Sequence, residues 1–573
     1  MNINATDSSG ATLLIQAAAA DLPLVARFLL EAGADVNARD ELGRSALRLA
    51  RSPEMTALLL EHGADPNTAD INGHTPLMDQ RDQETAALLL RAGARVDAAD
   101  KDGQTALLKA HDTAIVRLLL DAGADPNATD RHGRNALFNL CLDADMADIL
   151  LRAGTRADAV DACGETPLWC AEDAAAVRML LRAGCNIQAR SKEGRTALFR
   201  KYDAAVVAEL LRAGADPNVQ DNQGRTPLME TRDQGAVDAL LSAGANPNAR
   251  DKNGRTALHD VGGSDAMALL IKAGADVNAV DANGRTPLME AADSDCIRLL
   301  SAAGADARAA DHRGRTALHA ACLDGEVEAL LQAGADPNAR SEDGTTPAMT
   351  VMSSRGLELL IRAGADVHAA DNGGRTPLHE HCNSPEMVKI LIDAGCCTDP
   401  KDGNGITPLM LSNDAVAIRL LLEHGANPNA QDAEGHSPLH HHGYAEALSL
   451  LLDAGADPNL RDHNGCTPLF FTANPAAIRL LLEHGADPAI KDSAGKTAKE
   501  VLEENINQAP FHHRQESIEK EAEISLLQAT KDALSILQGP ACQEKNKNNP
   551  KSAIRLLSRA DGCNTRKNVL DRN

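Results

Sequence analysis

Short apolar runs recur along this chain at a nearly constant interval, each followed by a polar stretch repeated almost letter for letter. In "AIRLLLEHGANPN", residues 417 to 429, an apolar run ends at Gly425. Such a run predicts a helix, and the glycine predicts its end, because glycine takes the left-handed backbone of a helix C-terminus without steric cost. The polar stretch, of the form P-N-A-R-D-x-x-G, predicts an extended loop closed by a tight turn. Thr-Pro-Leu or Thr-Ala-Leu follows and predicts a second helix start, with Thr able to cap it and Pro tolerated in its first turn. The glycine of D-x-x-G-[RT]-[TS]-[AP]-L stands at Gly43, Gly73, Gly103 and so on to Gly495, with Gly10 one unit earlier. The step is 33 residues once, 31 twice and otherwise 30. A unit this small has no core of its own, so the pattern predicts an all-α solenoid in which each unit is buried by its neighbours.

Composition fits that picture. Aromatic residues make up only 2% of the 573, with one Trp and two Tyr, while small residues and Leu dominate. Such side chains suit thin, regular layers of helix on helix. The formal charge of −25 argues against nucleic acid as a partner, since the duplex is itself a dense line of negative charge. Twelve cysteines without C-x-x-C spacing read as free thiols of a reducing compartment. The N-terminus has no basic residue before Arg27, so no signal peptide is expected, and no run is apolar enough to insert in a membrane. A soluble, cytoplasmic, monomeric array is the expectation.

The unit "GRTALHAACLDGEVEALLQAGADPNARSEDG", residues 314 to 344, resembles the ankyrin repeat, with its T-[PA]-L-H tetrapeptide, Leu-rich second helix and G-A-D-x-N finger. The resemblance covers residues 10–505, about seventeen units. It implies a protein-binding surface made of fingertips and first-helix faces. Most units here are 30 residues where the family runs 33, with the shortage between the two helices. In place of the usual turn stand Asp82, Asp112, Asp173, Asp203, Asp233, Asp293 and Asp414, each where a second helix needs an N-cap. Ser52-Pro53 and Asn474-Pro475 offer the same solution in other letters. A first helix shortened by about a turn is therefore expected. The last letter of the tetrapeptide alternates as Met229, His259, Met289, His319, Met349, His379, Met410 and His440, which points to duplication of two-unit blocks.

Candidate chemistry is sparse. "LHEHC" (Leu378 to Cys382) and "HSPLHHHGY" (His436 to Tyr444) suggest metal clusters, but zinc usually draws on two separated ligand pairs. His379 and His440 occupy the repeat's own His position, to which the resemblance assigns structural hydrogen bonds. No metal site and no cofactor are expected, and no G-x-S-x-G, phosphate-cradling loop or H-E-x-x-H is present. A metal-dependent or tail-borne enzyme is the least favoured reading. Glu230, Asp260 and Glu290 share one position in three neighbouring units, either consensus or an acidic stripe for a basic partner.

Two aromatic features break the copying. Phe138, Trp169 and Phe199 fill the His position in successive units, and core packing is the favoured reading. Arg200, Lys201 and Tyr202 follow on the first helix, near fingertip residues Arg131, His132 and Lys192. Tyr, Trp and Arg carry much of the energy at interfaces. With Trp169, these residues form the candidate partner-binding site.

Residues 1–9 read as a lead-in and 506–539 as a polar linker with an amphipathic helix, Ile518, Ala522, Leu526, Ala529, Ala533 and Leu537 lying on one side. Residues 540–573 form a basic tail, expected to be flexible, with eight Lys or Arg against three Asp or Glu. The chain is expected to bind another protein on the concave ankyrin face, without catalysis. It would act as an intracellular adaptor or inhibitor, or alternatively as a bacterial effector delivered into a host cell.

Overall fold

The computed structural model describes residues 3–138, 143–200 and 203–508. The chain divides into two compact units, Met1–Ala305 and Asp306–Asn573. Each is a stack of paired helices joined by extended fingers, so the solenoid is all-α as the pattern predicts. Among the described residues, β pairing is confined to isolated bridges such as Arg39 with Ser45.

The first helix of most repeats is a single turn of four residues, as in Ala46–Leu49 and Ala257–Asp260. In some units it tightens to a 3₁₀ turn, as at Pro76–Asp79. The opening repeat, with the 33-residue step, keeps seven residues in Leu13–Ala19. The missing residues of the 30-residue unit are thus taken from the first helix, as expected. The second helix has nine residues, for example Gln83–Arg91 and Gln234–Ser242. Helices this short are unstable in isolation. Packing holds them: Ala236, Val237 and Leu240 have 1% exposure or less, and Gln234–Ser242 lies against Ala204–Arg212. The approach is close enough that a Cβ on Gly235 would stand 2.8 Å from the Ala204 Cβ.

The aspartate caps are in place. The Asp82 side chain accepts from Thr85 N at 2.7 Å, Asp233 from Ala236 N at 2.9 Å and Asp293 from Cys296 N at 2.8 Å. Ser52 and Asn474 cap in the same way ahead of Pro53 and Pro475. Thr does not cap the first helix everywhere. In the Met units the hydroxyls of Thr226, Thr286, Thr346 and Thr407 are buried without a hydrogen-bond partner. The Met229 sulfur there reaches back only to Thr226 N, at 3.4 Å. In the His units the ring does more. His259 Nδ1 accepts from Thr256 N at 3.0 Å, and Nε2 donates to the carbonyl of Arg285, 26 residues on, at 3.1 Å. The Met/His alternation therefore alternates layers without and with a histidine hydrogen bond to the next repeat.

The fingers are latched by asparagine. Asn218 Nδ2 donates to Gly244 O at 2.9 Å while its Oδ1 accepts from Asn246 N at 2.7 Å. Asn429 repeats this on Gly455 and Asp457. At the turn, Asp221 Oδ1 accepts from Gln223 N and Arg225 N at 2.8 and 2.9 Å. The chain reverses at Gly224 with φ of 77°, and a Cβ there would meet Lys252 N of the next finger at 3.1 Å. Lys252 N donates to Gln223 O at 2.8 Å, which stacks one fingertip on the next.

Candidate functional site

The turn aspartate spends Oδ1 on its own backbone and leaves Oδ2 for the residue after the glycine of the preceding repeat. Arg134 Nε donates to Asp161 Oδ2, and Arg195 Nε to Asp221 Oδ2, both at 3.0 Å. The same arginines meet the acids of the short helices. Arg195 stands 2.8 Å from Glu230, Arg225 3.3 Å from Asp260, and Arg255 2.8 Å from Asp260 and 3.3 Å from Glu290. Arg285 closes the series on Glu290 at 2.9 Å. The result is a ladder in which each acid is held by two arginines. Burial works to lower the Arg255 pKa, but the hydrogen bond to Asp260 and the charges of Asp260 and Glu290 outweigh it and raise it. Glu230, Asp260 and Glu290 are therefore not an acidic stripe left open to a basic partner; their charge is matched within the stack.

The predicted contact residues separate into two groups. Arg131, His132 and Lys192 sit on fingertips. Arg131 pairs with Asp102 at 2.5 Å with 61% of its side chain exposed, and its Nε donates to His132 Nε2 at 3.2 Å. Lys192 is exposed, its backbone held by Cys163 O at 2.7 Å and Asn222 Nδ2 at 2.8 Å. Trp169 differs from the fingertip residues. Only 8% exposed, it packs in the core with Phe138 at 8% and Phe199 at 1%, because the His position faces the inside of the stack. A ring so placed offers a partner almost no surface. The Arg195 guanidinium lies 5.8 Å from the centroid of the Phe199 ring. Arg200 ends the 3₁₀ turn Ala197–Arg200, while its side chain, Lys201, Tyr202 and the whole of 509–573 lie outside the described residues.

Most of the clustered histidines are structural. His379 and His440 bond backward to Thr376 and Ser437, and forward to the carbonyls of Ile406 and Cys466. His381 Nε2 donates to Ala348 O at 2.8 Å and His442 Nε2 to Leu409 O at 2.9 Å. Burial lowers the pKa of all four, which keeps the rings neutral at pH 7. The Cys382 thiol, 2% exposed, is pushed up to about 11 by burial. His436 and His441 differ. His441 Nε2 is 2.8 Å from Asp432 Oδ2, and His436 lies between Asp432 at 3.6 Å and Asp462 at 3.3 Å. Asp432, His436 and His441 each place one ligand atom within 4.8 Å of the others, an arrangement able to hold a metal ion. In sequence Asp432 is a turn residue common to most repeats, and no second His or Cys pair marks it as a ligand.

The family model for ankyrin repeats (3 copies) matches residues 1–70, 49–130, 199–281, 260–341, 348–432 and 411–492, most of the chain. The chain belongs to the ankyrin-repeat family. A comparison with curated proteins gives no match.

The ankyrin geometry is also present in the described residues of 131–198, between the matched stretches. The second helices Ala144–Arg152 and Ala174–Arg182 keep their aspartate caps there, and Phe138 and Trp169 take the histidine's place. An ankyrin array of this kind is a protein-interaction scaffold. Among the described residues no helix is long and apolar enough to cross a membrane. Ser437 and Thr256 do place a hydroxyl 2.8 and 3.0 Å from a histidine Nδ1, but both hydroxyls are buried inside the stack. The ankyrin histidines that elsewhere would suggest catalysis are committed to backbone carbonyls.

Proposed function

We propose that this ankyrin array works as a non-catalytic scaffold that binds an acidic segment of a partner protein on the concave face around residues 131–202. Arg131, His132 and Lys192 supply the fingertip contacts, with Arg200, Lys201 and Tyr202 added from the sequence; Trp169 supports them from the core. The observation that carries the reading is the contrast between the ladder and the fingertips. Between Arg195 and Glu290 the charges are matched against one another across neighbouring repeats. At the fingertips, by contrast, Arg131 meets Asp102 in an exposed pair and Lys192 projects into solvent. An exposed pair is worth little, so it exchanges readily for a partner's carboxylate.

The adaptor or inhibitor role and the host-directed effector role use the same contact and differ in where the partner comes from. Affinity capture from bacterial and from host lysates separates them. The surface is tested with Arg131→Ala combined with Lys192→Ala, and with Arg200→Ala combined with Tyr202→Ala. The control is Tyr444→Ala, at a side chain 71% exposed. Loss of the captured protein in both pairs, with retention by the control, supports the reading. Retention by both pairs and loss in the control refutes it.

A further inference from the structure

Three turn aspartates of this stack receive a donor on Oδ2 from the residue after the glycine one repeat earlier: Arg134 for Asp161, Arg195 for Asp221, Gln104 for Asp130. At Asp432 that donor is absent, because the position is held by Ile406, which has nothing to donate. One repeat on, the position facing Asp462 holds His436 in place of arginine. Two buried carboxylates, 8% and 6% exposed, therefore follow each other without the arginine that Asp161 and Asp221 receive. Asp462 Oδ2 is buried without a hydrogen bond of good geometry; His436 Nε2 stands 3.3 Å from it. On Asp432, the place of the missing donor is taken by His441 Nε2 at 2.8 Å.

His74 gives an internal comparison. It spans Asp70 at 3.5 Å and Asp100 at 3.1 Å, much as His436 spans Asp432 and Asp462. There, however, Lys109 contacts Asp100 at 2.9 Å and Arg48 lies 3.9 Å from Asp70, so fixed positive charge is already present. Around His436 the neighbours are rings. Phe471 meets His436 edge-on at 5.0 Å and His440 at 5.3 Å, walling one side with an apolar surface. His440 is itself committed to Ser437 and Cys466.

We infer that Asp432, His436 and His441 form a zinc-binding site, with Asp432 Oδ2, His436 Nδ1 and His441 Nε2 as ligands and Asp462 orienting the His436 ring. Zinc takes imidazole nitrogen and carboxylate oxygen at about 2.0–2.2 Å, which sets tetrahedral ligand atoms roughly 3.3 Å apart. The distances from Asp432 Oδ2 to the two rings, 2.8 and 3.6 Å, bracket that spacing. A carboxylate on the far nitrogen of a metal-binding histidine fixes the tautomer and strengthens the ligand, and Asp462 is placed to do so for His436. Three protein ligands leave a fourth position for water or for a partner's side chain. The ion supplies the positive charge that Ile406 and His436 withhold. This site stands independently of the fingertip reading.

The test uses the full-length chain, stripped of metal and titrated with Zn²⁺ at pH 7.5, with bound metal counted after dialysis. His436→Arg installs the side chain that Arg195, Arg225, Arg255 and Arg285 carry at the same position of the repeat and should fold normally; His441→Ala alters an exposed residue. The expected result is one Zn²⁺ equivalent in the wild type that both variants lose, with unchanged far-ultraviolet circular dichroism. Asp462→Asn, which keeps the three ligands, should weaken binding by roughly 10–100-fold. Wild-type protein loaded with Co²⁺ should show four-coordinate d–d bands without a thiolate charge-transfer band, which needs no variant. Absence of a bound equivalent, its retention in either His variant, or a thiolate band overturns the assignment.

Discussion

Arg255 is where the ladder can be tested by removing one rung. Its guanidinium is 24% exposed and lies 2.8 Å from Asp260, 3.3 Å from Glu290 and 3.9 Å from Asp281, with a further hydrogen bond to the His259 carbonyl at 2.9 Å. Exposed pairs contribute about 0.2–1 kcal/mol each, and hydrogen bonds to charged groups about 1.5–3 kcal/mol when well buried. This site lies between those limits. Arg225 remains 3.3 Å from Asp260 and Arg285 2.9 Å from Glu290, so neither acid is orphaned by the change. We therefore expect Arg255→Ala to cost about 1–2 kcal/mol, well below the loss of a fully buried ion. Because a repeat array need not unfold in one step, a single melting temperature is a poor readout. Hydrogen exchange of the amides between residues 225 and 290 is the direct assay. The cost should shrink in Arg255→Ala carrying Asp260→Asn, and in high salt only modestly, since the pairs are partly buried. Unchanged exchange in this window, or full additivity of the two substitutions, would refute the idea that the ladder holds these repeats together.

Asp233→Ala should cost about 1 kcal/mol through loss of the cap on Gln234–Ser242. Faster exchange confined to that helix and its neighbours checks it, and unchanged exchange counts against the cap. Burial lowers the folded-state pKa of His259, His319, His379 and His440 below the ordinary value of 6.5, so the unfolded chain takes up protons first. Stability is then fully present above about pH 6.5 and falls as the pH drops below it. Urea melts at pH 7.5 and 5.5 should show the loss, and His319→Met with His379→Met should reduce it. The Cys296 thiol is fully buried, and burial with the nearby Asp293 pushes its pKa up to about 12. It should stay unalkylated by iodoacetamide at pH 7.5 while exposed Cys322 reacts, which peptide mass spectrometry resolves.

The order of local elements was already written in the chain. Helix, cap and turn each depend on residues only a few positions apart, so Asp233 ahead of Gln234–Ser242, or Gly224 at its turn, could be read from letters alone. The repeat period carried the fold, because a unit without its own core must stack. What the letters did not determine is what each exposed-looking side chain meets in the next layer. Arg225 and Asp260 are 35 residues apart, and His436 and Asp462 26, so their pairing follows from the stacking register and side-chain reach rather than from any local pattern. For that reason an apparent acidic stripe is a ladder of paired charges. Trp169, by contrast, is an interface residue by type, but its place at the repeat's His position already favours the core, where it is 8% exposed. The turn aspartate Asp432 is repeat grammar in sequence, and only the fold shows that, with Ile406 in the layer before it, its second oxygen is met by His441 and lies near His436.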